Sequence, residues 1–125
     1  MRYLRRYNED VEYDELLIFC EEILSYLLDK DFVLEINRHQ IETDISINCI
    51  SDDGFTNYMN IKSDFIPFIE LLDKKYSIKN IEFYIEKDFY KSGTTYPTFD
   101  KSQIIDDEID DDLKIRLINI IIKNN

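Results

Sequence analysis

The densest group of chemically capable side chains is the window Asp106-Asp107-Glu108-Ile109-Asp110-Asp111-Asp112, six carboxylates in seven residues. Carboxylates are the oxygen ligands that Mg²⁺ and Ca²⁺ favour, and paired metals held this way drive hydrolysis. The window lacks the Asp-x-Asp-x-Asp-Gly spacing of a calcium loop. Consecutive acids on a helix also point in different directions, so no convergent ligand set is expected. The simpler expectation is a solvated helix start, where negative side chains complement the positive end of the dipole. A metal-dependent hydrolase is retained only as a third reading.

Other routes to catalysis are thinner. His39 is the single histidine, so HExxH and multi-histidine metal sites cannot form within one chain. It falls in an expected hairpin turn with no nucleophile-elbow motif anywhere in the chain. Gly54 and Gly93 are the only glycines and stand far apart, which excludes Walker A and dinucleotide-binding loops. Cys20 and Cys49 form no CxxC pair and fall on apolar stripes, where a thiol behaves as a small hydrophobe. With 27 acids in the chain, glycosidase-type carboxylate pairs carry no specific signal. No catalytic residue, metal ligand or cofactor is therefore assigned, and the expectation is a protein that is not an enzyme.

Charge points elsewhere. The 125 residues carry 27 Asp and Glu against 15 Lys and Arg, a formal charge of −12. Residues 1 to 7 hold Arg2, Arg5 and Arg6 and no acid, which leaves −15 on residues 8 to 125. Such a surface repels nucleic acid, whose affinity for proteins comes largely from Lys and Arg, and suits a protein with a basic surface. Solubility alone also explains surplus acid. Nine tyrosines in an acidic chain suit protein contacts, where aromatic anchors sit inside a polar rim. The candidate partner-binding residues are Tyr58, Tyr84, Tyr90 and Tyr96, with Glu82, Glu86, Asp106, Asp107, Asp110 and Asp111. The basic arm, residues 1 to 9, offers Arg2, Tyr3, Arg5 and Arg6. It either folds back on the acidic body or acts as a short recognition element.

These residues need elements to hold them. Apolar spacings of three and four from Asp10 to Asp29 predict an amphipathic helix with Leu16, Leu17, Cys20, Ile23, Leu24, Leu27 and Leu28 inward. Alternation through Phe32, Leu34 and Ile36, then Ile41, Thr43, Ile45, Ile47 and Cys49, predicts two antiparallel strands turned at Arg38-His39-Gln40. Ser51-Asp52-Asp53-Gly54 reads as a turn, followed by a short strand over Phe55 to Ile61. Ser63 is the expected N-cap of a helix to Tyr76 with Phe65, Phe68, Ile69, Leu71 and Leu72 inward and Pro67 in its first turn or so. Ile78, Ile81, Phe83 and Ile85 mark a further strand. A hairpin turned at Ser92-Gly93 makes Thr94 to Phe99 an edge strand. The acids of Asp106 to Asp112 followed by Leu113 to Ile122 predict a C-terminal helix. The expected fold is a single α+β domain over residues 1 to 125. Its order is α-β-β-(β)-α-β-(β)-α, with a small antiparallel or mixed sheet of three to five strands and helices on one face. No apolar run approaches the roughly 18 residues of a membrane span and no signal peptide is expected at Met1, so the expected setting is a reducing cytoplasm or the interior of a virus particle.

The opening Met1-Arg2-Tyr3-Leu4-Arg5-Arg6-Tyr7-Asn8-Glu9 resembles the start of many small acidic proteins of AT-rich tailed phages, whose pattern is similar to Met-Lys-Tyr-Ile/Leu-Lys-x-Phe-Asn-Glu. Tyr7 stands where Phe is commoner. Twenty-one isoleucines and no alanine accord with an AT-rich source. The resemblance implies a phage-type origin and no catalytic residue. Two functional expectations follow. The first is a non-enzymatic protein that occupies a basic surface on another protein, such as a nucleic-acid-mimicking inhibitor of a host or defence protein. The second is a virion-associated structural or packaged protein with residues 1 to 9 as an assembly segment. Neither calls for a membrane, and self-association is left open.

Overall fold

The computed structural model describes residues 15–29, 31–52, 54–85 and 98–124. The elements in chain order are α1 (Glu15–Ile23), α2 (Ser25–Leu28), β1 (Phe32–Arg38), β2 (Glu42–Cys49), β3 (Thr56–Asn57), a 3-10 turn (Tyr58–Asn60), α3 (Lys62–Lys75), β4 (Ser77–Ile85), β5 (Thr98–Phe99), α4 (Lys101–Ile105) and β6 (Lys114–Lys123). Six strands form one sheet in the order β1-β2-β6-β4-β5, with β3 also paired to β6, and every pairing is antiparallel. The α+β class stands as expected, with one strand more than the range read from the sequence.

The largest difference is at the C-terminus. Lys114–Lys123 is not a helix but the central strand, flanked by β2 and β4. Its isoleucines explain why, because branching at Cβ restricts χ1 in a helix and packs well on a pleated surface. Ile118, Ile120 and Ile122 are buried, while Asn119 and Ile121 between them are only half-buried. The acids ahead of it therefore cap no helix. They occupy the loop between α4 and β6, and α4 itself starts upstream, where Gln103 reaches back to accept the Asp100 N–H at 2.9 Å.

Smaller differences have local causes. The first helix breaks at Leu24 into α1 and α2, and residues 10 to 14 of its expected span lie outside the described residues. The strand expected over Phe55 to Ile61 shortens to Thr56–Asn57 because the chain coils into the 3-10 turn. Helix α3 begins one residue before Ser63 with no side-chain cap, and Leu71 is 39% exposed rather than inward. Ile41, 72% exposed, sits in the β1–β2 turn instead of on the buried side of β2. The three-residue step from Ile78 to Ile81 is a register shift between Ile78 and Asn80, which pushes Lys79 out to pair with Glu42. Of the hairpin expected over residues 92 to 99, only Thr98–Phe99 falls within the described residues, as β5.

The helices cover one face of the sheet. Leu16, Cys20, Leu24, Leu27, Phe65, Phe68, Ile69, Leu72 and Ile104 from the helices meet Ile45, Ile47, Ile81, Phe83, Ile118 and Ile120 from the strands in one contiguous core. Thr43 is the only buried polar residue among those described, and its hydroxyl donates to Asn124 Oδ1 at 2.6 Å. The Asn124 amide in turn donates to the His39 carbonyl at 2.8 Å and so ties the strand end to the β1–β2 turn.

Candidate functional site

The acidic loop is built by the way α4 ends. Asp107 takes the left-handed conformation, φ 61°, which Asp tolerates better than most side chains. The next amide, Glu108 N–H, bonds back to the Gln103 carbonyl at 2.9 Å. This turn swings Asp107 toward the start of α3. There Lys62 Nζ lies 3.2 Å from Asp107 Oδ2 and 2.8 Å from Asp111 Oδ1. Two acids expected to point apart thus converge, and what they converge on is an ammonium. Their hydrogen bonds raise the Lys62 pKa, that from Asp111 most. Asp110 Oδ1 accepts the Asp112 N–H at 3.0 Å and closes the next turn. The loop is also sewn to the 3-10 turn, with Tyr58 N–H donating to Leu113 O at 2.8 Å and Met59 N–H to Asp111 O at 3.0 Å.

With Asp107 and Asp111 occupied and Asp110 holding a backbone amide, Asp106, Glu108 and Asp112 are left exposed along the same loop. The neighbouring helix adds a further tie, since Lys101 of α4 pairs with Asp73 of α3 at 2.7 Å. Among the described residues no group of three or more His, Cys, Asp or Glu side chains is placed to hold a metal ion.

Tyr58 is not a surface anchor. It is fully buried, with its ring centroid 5.8 Å from Phe83 and 6.4 Å from Phe65. Its hydroxyl has no hydrogen-bond partner among the described residues. Burial raises its pKa, and the charges of Asp107 and Asp111 raise it further. An unsatisfied buried hydroxyl costs free energy, so Tyr58→Phe is expected to stabilise the fold by about 1 kcal/mol at neutral pH. The gain grows in alkali. Above about pH 10 the unfolded phenol loses its proton while the folded one keeps it, so wild-type stability falls as pH rises. Lys62 and Tyr76, whose pKa values are also raised, add to that decline. Chemical denaturation of both proteins from about pH 7 to about pH 11 checks this; a variant less stable than wild type throughout would contradict it.

The other candidates divide into two groups. Glu82 and Tyr84 stand on the sheet face away from the helices, where Ser46 donates to Asn119 Oδ1 at 3.0 Å and Asn119 donates to Glu82 Oε1 at 3.3 Å. Tyr84 pairs with Leu117 near the start of β6, at the end of the sheet that carries the acidic loop. Glu86, Tyr90, Tyr96, Arg2, Tyr3, Arg5 and Arg6 lie outside the described residues. Cys20 and Cys49 are free and buried as expected, and burial pushes the Cys20 thiol up to about 12. His39 is exposed, its Nε2 3.3 Å from Asp44 Oδ2.

Sequence reasoning missed Lys62. One signal was available: it is the only Lys or Arg between residues 39 and 73, in a chain rich in acids that need a partner. No family model, no curated protein and no solved structure matches the chain.

Proposed function

We propose that this chain is a non-enzymatic acidic protein of phage type that works in the host cytoplasm by binding a basic surface of another protein, with the loop Asp106 to Asp112 as its principal contact. One observation carries the reading. Lys62 fixes the loop by clamping Asp107 and Asp111, while Asp106, Glu108 and Asp112 stay exposed on it. A carboxylate row held in one conformation loses less entropy on binding than a mobile acidic tail, and a negative surface of this kind steers basic partners. Such a row also stands in for the phosphates of a nucleic acid, which makes a nucleic-acid-binding surface the natural target.

The triple variant Asp106→Asn, Glu108→Gln, Asp112→Asn tests this without touching the Lys62 clamp. Immobilised wild-type protein is expected to retain a basic protein from the native host that the triple variant, folded by circular dichroism, does not. Equal retention by both, eluting at the same salt concentration, would overturn the assignment of the loop.

A further inference from the structure

The two ends of the sheet are finished differently. One ends on β5, two residues long, whereas the other ends on β1, a seven-residue strand paired with β2 alone among the described residues. Ile50 N–H donates to the Asp31 carbonyl at 2.7 Å, and His39 N–H donates to the Glu42 carbonyl at 2.8 Å. Bonded pairs alternate along an antiparallel ladder, so the odd-numbered residues from 31 to 39 turn their N–H and C=O groups to β2. The even-numbered residues Phe32, Leu34, Ile36 and Arg38 therefore turn theirs outward. A row of this kind is a template for another strand, which proteins commonly blunt with proline, lysine, a bulge or shortness. Strand β1 holds neither proline nor lysine and keeps an unbroken register with β2 from Phe32 to Arg38.

The side chains around this edge agree with its backbone. Of the six large apolar residues exposed among those described, three frame it: Val33 on β1 itself, Ile41 in the turn that follows and Ile50 bonded to its head. Leu34 and Ile36 pack against the core from this last strand and are only half-buried. Apolar side chains gathered at one margin mark an interaction surface. Charge separates the possible occupants. In a chain of −12, β1 carries one acid, Glu35, and one base, Arg38, and so is neutral. A basic segment finds no surplus charge on it, while two copies of β1 meet without local repulsion. Self-pairing also has a register that suits these residues. A two-fold axis at Leu34 sets Leu34 opposite its own copy and Phe32 opposite Ile36 on the core side, with Val33 opposite Glu35 on the other. An axis at Glu35 would instead oppose like charges.

We infer that β1 pairs antiparallel with β1 of a second copy of this chain, joining the two sheets edge to edge in a two-fold dimer. This stands apart from the partner reading, because no residue of the acidic loop belongs to β1. One strand pair buries less than a standard interface, so the dimer is weak, with a dissociation constant of about 100 μM. Sedimentation of the full chain should show mainly monomer at about 20 μM and mainly dimer at about 1 mM. Amide hydrogen exchange by NMR at the same two concentrations locates the contact. The outward-facing Leu34 and Ile36 amides should slow by about fourfold at the higher one, with Val33 and Glu35, already bonded to β2, as the reference. Leu34→Pro removes one outward N–H and no bond to β2, so the variant should stay folded by circular dichroism and sediment as a monomer at both concentrations. A wild-type chain still monomeric at about 1 mM, or a dimer in which Leu34 and Ile36 exchange as fast as in the monomer, would overturn the proposal. So would a Leu34→Pro variant that dimerises as the wild type does.

Discussion

Phe83→Ala is expected to cost the fold about 4 kcal/mol, a large part of the roughly 5 to 15 kcal/mol that stabilises a domain. Phe83 is fully buried on β4 and joins four elements through its ring. Its centroid lies 4.9 Å from Phe99 of β5, 5.8 Å from Tyr58 of the 3-10 turn and 6.0 Å from Phe65 of α3. Removing it forfeits apolar burial and leaves a cavity that neighbours in three separate elements cannot all collapse into. The same truncation at Leu71, exposed on α3, should stay within about 0.5 kcal/mol. Urea unfolding followed by circular dichroism measures both. A fall of less than about 1 kcal/mol for Phe83→Ala would mean that the aromatic cluster does not hold the sheet to the helices.

The second large effect separates strand from helix at the C-terminus. Ile120 is fully buried between Ile45 of β2 and Ile81 of β4, whereas Ile121 faces the other side of the sheet between Asp44 and Asn80. Ile120→Asn should therefore cost about 4 kcal/mol, by losing apolar contact and burying an amide without partners. Ile121→Asn should cost only about 1 kcal/mol, because Ile121 is half-buried and its cross-strand neighbours, Asp44 and Asn80, are polar. A helix reverses this order, since Leu117, Ile118, Ile121 and Ile122 would then form the buried stripe. Denaturation midpoints of the two variants read the order directly, and a costlier change at 121 would contradict the strand.

How far the chain can be read without coordinates follows from the range of each interaction. Helix α3 and the β1–β2 hairpin were legible because their apolar residues recur at the period of the element that buries them. The Gly54 turn was legible because a backbone conformation demanded a particular residue type. Strand β6 was misread for a physical reason. A central strand carries apolar residues on both faces, so Ile115 to Ile122 shows little alternation, and acids followed by an apolar run imitate the start of a helix. The site was less legible still. Lys62 stands 45 and 49 residues from Asp107 and Asp111, and only the docking of α3 against the loop brings them together. Tyr58 has the flanking residues of a surface tyrosine, and its burial depends on α3 and β4 packing over it. The surplus of acid was plain from composition, but the division between acids spent on Lys62 and acids left facing outward was not.

The decisive property of the proposed surface is that its attraction is electrostatic. Calorimetric titration of the wild-type chain with the basic protein it retains, at about 50 mM and about 300 mM salt, tests this most directly, because screening across that range cuts the reach of exposed charges to less than half. The affinity is predicted to fall by about tenfold or more between the two conditions. An affinity that stays the same at both salt concentrations would contradict it.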